Sequence, residues 1–250
     1  TKTVLGGAMG DEFRPVLWQP GDTIGICRSD WYGTMYKFTN VEQEETSTAT
    51  FVGQSDEGSR FYAFYPLSTS PVFNYDSNNI VFDLPSGQTY EPESFARNSM
   101  PMVAKANAGD IFEFNSLAGV FAVNLTGEET VKSISFSGYD ADYSPIPVAG
   151  KFRIEMSGST PEMISEGNVK SSITLNCNDG VTLDPTTPTP FYIVLPPATY
   201  NTFTISVATT DGKVMVKKAK NPLTVRRANV TKAGQIAIVA DEVYDLSEFS

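Results

Sequence analysis

Lys151-Phe152-Arg153-Ile154-Glu155-Met156 alternates charged and apolar side chains at every step, so Phe152, Ile154 and Met156 share one face and Arg153 and Glu155 the other. A period of two belongs to a β-strand with one face buried, whereas a helix repeats every ~3.6 residues. Residues 202–207 show the same pattern, with Phe203, Ile205 and Val207 opposite Thr202, Thr204 and Ser206. Working outward, Phe121, Val123 and Leu125 share a face, as do Ile134 with Phe136 and Ile236 with Ile238. Ile24 and Ile26 pair across Gly25, and Phe51 closes a Thr-rich run. Residues 61–65 and 80–84 are denser in apolar side chains, which marks more fully buried strands.

Turn chemistry punctuates these runs at Pro20-Gly21-Asp22, Asp56-Glu57-Gly58, Pro85-Ser86-Gly87 and Asn178-Asp179-Gly180. Asp211-Gly212, set between two alternating segments, predicts a tight hairpin. No stretch carries helical periodicity. Many short strands with frequent turns predict an all-β protein of sandwich or barrel type. A polar connection, Ala106-Asn107-Ala108-Gly109-Asp110, follows the apolar Met100-Pro101-Met102-Val103, and Phe112 begins a fresh series of strands. The chain is therefore expected to divide into a domain of residues 1–110 and a domain of residues 111–250, each of ordinary sandwich size.

Composition narrows the function. With 40% hydrophobic residues and 16 Phe, 11 Tyr and 2 Trp to bury, the chain has the means for a folded core. A net charge of −11 repels phosphate backbones and anionic lipid, and no basic stripe offsets it, so no nucleic acid is expected as a partner. No apolar run has the length of a membrane span. The sequence begins at Thr1 without a signal-peptide pattern, as expected of a processed chain whose export signal lay upstream. Cys27 and Cys177 make no disulfide framework and are expected to stay unlinked. Cys177 continues the apolar face of Ile173 and Leu175, so Cys177→Ser is expected to destabilise the fold while Cys27→Ser leaves it intact.

The chain has no histidine, which removes the commonest general base, metal ligand and triad member. No phosphate loop or zinc spacing is present, and neither a metal nor any other cofactor is expected. Asp140 with Asp142, and Glu42 with Glu44 and Glu45, are carboxylate pairs of the kind glycoside hydrolysis needs, but they lie in polar loop-like stretches typical of solvated edges. The loop at Asp140 also lacks the spacing of a helix–loop–helix calcium site. Asn124-Leu125-Thr126 and Asn229-Val230-Thr231 match the N-glycosylation pattern at chance frequency. The chain is expected not to be an enzyme. Trp18, between Leu17 and a Pro-Gly turn, is expected in the core. Trp31 and Tyr32, beside Gly33 in a loop, are candidates for stacking against a glycan ring.

Val16-Leu17-Trp18-Gln19-Pro20-Gly21-Asp22-Thr23-Ile24-Gly25-Ile26 and Phe61-Tyr62-Ala63-Phe64-Tyr65-Pro66 resemble the opening and the aromatic strand of the fimbrillin family of Gram-negative gut and oral anaerobes. Asn98-Ser99-Met100-Pro101-Met102, Val123-Asn124-Leu125-Thr126-Gly127 and Tyr192-Ile193-Val194-Leu195-Pro196-Pro197 continue the likeness, which runs on through Phe203 to Asp211-Gly212 and so covers almost the whole chain. The resemblance implies two transthyretin-like β-sandwich domains in tandem. It also implies a lipidated precursor exported through the periplasm to the outer membrane, and a place in a cell-surface fimbria built by β-strand donation. The partners implied are other fimbrial subunits, engaged by strand exchange, and host or bacterial surface ligands. A monomeric surface lipoprotein that binds glycans through Trp31 and Tyr32 is the alternative.

In that family an arginine-specific protease trims the chain near its start. Arg14 is the visible candidate here, although Pro15 after it lacks the amide hydrogen and restricts the backbone that a protease must engage. Removal of a first strand near Lys2–Leu5 would open a groove for the donor. Residues 241–250 could serve as a donor in turn, with Tyr244 and Leu246 on one face, but their acidic residues make them a poor core filler. The chain is thus expected to be a tip, anchor or accessory subunit that accepts a strand.

Overall fold

The computed structural model describes residues 4–7, 14–156, 158, 160–219, 221–238 and 243–245. Among the described residues nearly every regular element is a β-strand, and the one helical turn is Leu67–Thr69. The chain forms two compact units.

The first unit takes the chain up to Pro85, Arg97–Ala118 and Gly150–Val169. A six-stranded sheet runs in the order Asn115–Ser116, Met102–Asn107, Arg60–Tyr65, Thr23–Arg28, Tyr36–Asn40, Phe51–Gly53. A five-stranded sheet runs Glu162–Lys170, Ala149–Glu155, Asn79–Leu84, Val72–Asn74, Gly33–Thr34. Between them lies a core that includes Cys27, Phe64, Phe73, Ile80, Phe82 and Ile154. Phe152 and Ile154 enter it from the alternating strand, opposite Phe82 and Ile80 in register. Burying each such side chain contributes about 2 kcal/mol before cavity terms.

The second unit takes Ser86–Ala96, Gly119–Ala149 and the chain from Lys170 onward. Its larger sheet runs Gly87–Thr89, Ser172–Thr182, Thr130–Tyr139, Thr202–Thr209, Lys213–Lys218, Val243–Asp245. A three-stranded sheet holds Thr189–Leu195, Gly119–Thr126 and Val230–Ala237. Phe121, Phe136, Ile173, Ile193, Ile205 and Val207 fill the core. The predicted hairpin at Asp211-Gly212 is present, joining strands that pair from Thr204↔Lys218 to Ala208↔Val214.

The expected division at residue 110 is corrected. Gly150–Glu155 pairs with Leu84–Asn79, and Gly87–Thr89 runs parallel to Thr174–Asn176, so a single cut there would sever two sheets. What reads as a linker is a tight turn: Asp110 N–H donates to Asn107 O at 3.1 Å, and Gly109 takes φ +88°. Turn residues report local backbone geometry and carry no information about which distant strand becomes the partner.

Both cysteines are buried free thiols, Cys27 in the first core and Cys177 in the second. The expectation that Cys27→Ser leaves the fold intact is corrected, because Cys27 is the more deeply enclosed at 0% exposure against 5%, and a hydroxyl there would be buried in the same way. Gly25, the preceding residue on the same face, masked the inward alternation.

Candidate functional site

The strand Arg60–Tyr65 is apolar on both faces, and the second face builds the site. Register sets Ile24 opposite Phe38, Ile26 opposite Ala63, and Tyr65 opposite Met102. Directly opposed residues lie on the same side of a sheet, so these side chains make up the face turned away from the Cys27–Phe64 core. Trp18 caps one end. Its backbone exchanges hydrogen bonds with Thr46 at 2.8 and 3.1 Å, and its ring meets Phe51, Tyr65 and Phe114 edge-on at 5.0, 5.4 and 5.1 Å. Trp18 is thus a core residue, as its place in the sequence implies.

Residues 110–114 lie along this face and leave a groove beside them. One part, about 790 Å³, runs from Val16 and Trp18 past Phe51 to Phe114. A second, about 570 Å³, continues between residues 55–58 and 107–112, and both parts share Ile26, Phe38, Asp110 and Phe112. Ile111 is 81% exposed at the lip. Asp56, Glu57, Asp110 and Glu113 edge the groove, and no Lys or Arg is among the described residues that line it. Sequence reading missed this groove because it requires knowing that Ile24, Phe38 and Met102 are neighbours.

The structure separates the predicted aromatic pair. Trp31 packs partly against the first core, its indole N–H donates to Thr34 O at 3.1 Å, and its ring lies 5.6 Å from Tyr36 at a 41° tilt. Tyr32 is 67% exposed and joins no ring pair among the described residues. Tyr36 in turn donates to Asp56 at the groove edge at 2.7 Å, and that bond is the main cause of its raised pKa. Arg28 grips Asp30 through two bonds of 2.7 and 2.9 Å and also donates to Glu57 O, so the Trp31 turn is tied to the groove wall.

Arg14 directs its guanidinium at backbone, donating to Gly6 O at 3.0 Å and Leu5 O at 3.2 Å. It clasps the small ladder of Val4–Leu5 on Val16–Leu17. Lys2 and Thr3 lie outside the described residues. Asp140 Oδ1 accepts the N–H groups of Asp142 and Ser144 at 2.9 and 2.8 Å, closing an exposed turn. Among the described residues no three metal-ligating side chains gather. Of residues 241–250, Val243–Asp245 pairs with Met215–Lys213 at its own sheet's edge, and the others lie outside the described residues.

No protein-family model matches the chain, and no curated protein does. A solved structure of a protein from Bacteroides uniformis, assigned to cell adhesion, superposes with a TM-score of 0.51 over 90% of both chains at 14% identity. This chain shares its fold. The tip fimbrial protein Mfa3 from Porphyromonas gingivalis, truncated at its C-terminus, aligns over 90% of this chain and 92% of its own at 9% identity and a TM-score of 0.36. A fimbrial protein from Bacteroides ovatus aligns over 88% of this chain and 45% of its own, at 13% identity and a TM-score of 0.35.

Proposed function

We propose that this chain is a non-enzymatic subunit of a cell-surface fimbria that accepts an extended strand from another subunit. The groove on the outer face of the six-stranded sheet carries this reading. An extended segment sends alternate side chains to one side, and a long apolar channel floored by Ile24, Ile26, Phe38 and Met102 offers successive places for them. Supporting it are the fold shared with a protein assigned to cell adhesion and the ordered resemblance to fimbrillins, whose transthyretin-like plan, lipidated precursor and route through the periplasm to the outer membrane belong to the same proposal.

Charge selects the donor. Residues 241–250 include Asp241, Glu242, Asp245 and Glu248, which the carboxylates along the groove repel. The donor is therefore a different subunit, apolar at alternate positions and flanked by Lys or Arg. In the test, Ala49→Trp fills the groove and Ile111→Lys sets a charge at its exposed lip that repels the donor's own Lys or Arg. Both variants are expected to fold and to lose incorporation into filaments in cells that make the other subunits. Wild-type incorporation of both would refute the reading.

A further inference from the structure

At the end of the first unit's core the apolar alternation turns polar. The register Lys105↔Tyr62 and Asn107↔Arg60 continues that of Val103↔Phe64, so all four polar side chains stand on the core-facing side of the sheet. With Asn78, Ala106 and Met156 they line a pocket of about 480 Å³, within the range of small-molecule sites. No carboxylate is among the described residues lining it. In a protein of net charge −11, neither Arg60 nor Lys105 forms a salt bridge among the described residues.

The neutral groups are arranged around these cations. Tyr62 is 6% exposed and donates its hydroxyl to Asn78 Oδ1 at 3.0 Å, which leaves the Asn78 amide hydrogens as donors. Asn107 donates through Nδ2 to Asp110 at 3.0 Å, which leaves its carbonyl oxygen as an acceptor. Met156 supplies a buried apolar wall. A bare inorganic anion would use the cations and leave the amides and that wall idle. A neutral sugar would leave the cations without a counter-charge.

We propose that this pocket binds a carboxylate-bearing sugar, of the size and chemistry of a hexuronic acid. The carboxylate sits between Arg60 and Lys105 in charge-assisted hydrogen bonds, ring hydroxyls meet Asn78 and Asn107, and an apolar ring face lies on Met156. The site shares Asn107 with the acidic groove but none of the groove's carboxylates, and its test uses the isolated chain, so it stands or falls independently of the fimbrial reading.

Calorimetric titration with D-glucuronate at low ionic strength is expected to show saturable binding that neither D-glucose nor inorganic phosphate matches. Arg60→Gln and Lys105→Gln, both at exposed positions, should each weaken glucuronate about tenfold and leave thermal stability unchanged. Asn78→Gly removes the amide at a residue with φ 47°, which glycine adopts without strain, and should also weaken binding. Absence of saturable glucuronate binding would overturn the proposal, as would equal affinity for glucose or phosphate. So would wild-type affinity in all three variants, the result expected if the inward-facing cations only protect a strand end from aggregation.

Discussion

The side chain of Gln88 pairs with the backbone of Val194 as a strand residue would: Nε2 donates to Val194 O at 2.8 Å, and Val194 N–H donates to Oε1 at 3.0 Å. A primary amide has the same donor and acceptor as a peptide unit, so one side chain, 3% exposed, closes part of the open edge of Thr189–Leu195. Gln88→Leu would leave both Val194 groups buried without partners and is expected to cost about 3 kcal/mol in urea unfolding. Gln88→Glu should be pH-dependent. Only the protonated acid can both donate and accept, so burial raises its folded pKa. Stability should be fully present below the unfolded value of about 4.3 and be lost as pH rises through the folded value. A Gln88→Glu variant equally stable at pH 4 and pH 7 would contradict this.

The two thiols give the wild-type protein its own pH signature. Burial pushes Cys27 up to about 12, against a smaller pull from a backbone hydrogen bond of Tyr62, and pushes Cys177 up to about 11. Both ionise more readily in the unfolded chain. Their stabilisation is therefore complete below about pH 8.5 and is lost as pH rises from there toward the folded values. Tyr62, Tyr90 and Tyr200, also raised by burial, add in the same direction only from about pH 10. The urea midpoint should fall between pH 8.5 and 10 in the wild type and much less in the Cys27→Ser, Cys177→Ser double variant. A thiol reagent at pH 8 should label neither cysteine until the protein unfolds.

Gly138 and Tyr200 form a tight fit. A Cβ on Gly138 would stand 2.1 Å from Tyr200 Cδ1, while Tyr200 packs edge-on against Phe136 at 5.2 Å and donates to Pro196 O at 2.9 Å. Gly138→Ala is expected to cost about 2 kcal/mol or more through overpacking. Tyr200→Phe should cost about 1 kcal/mol, because it keeps the ring and loses one hydrogen bond. A Gly138→Ala variant as stable as wild type would show that the ring can move aside.

Asp140 organises a turn, and no chemistry is assigned to it. Asp140→Ala should lower stability by about 1 kcal/mol through loss of its two backbone bonds. Neither it nor Asp142→Asn should change any glycan hydrolysis, because the wild type is expected to have none. Reproducible turnover that either substitution abolishes would overturn the non-enzymatic reading.

Local sequence determined what depends on neighbours along the chain. Alternation in residues 151–156 specified a strand and its inward face, and Phe152, Ile154 and Met156 are all buried. Asp211-Gly212 specified a turn, because few residue pairs accept its backbone angles. Strand pairing was decided by tertiary structure alone, since any half-buried strand presents the same hydrogen-bonding edge to many others. Thus Gly150–Glu155 joins Asn79–Leu84 across a boundary that composition suggested, and Gln88 reaches Val194. The acidic groove and the cationic pocket belong to the same class. Each exists because register sets distant residues side by side, Ile24 by Phe38 and Lys105 by Tyr62, and that proximity is a property of the folded sheet that no single segment contains.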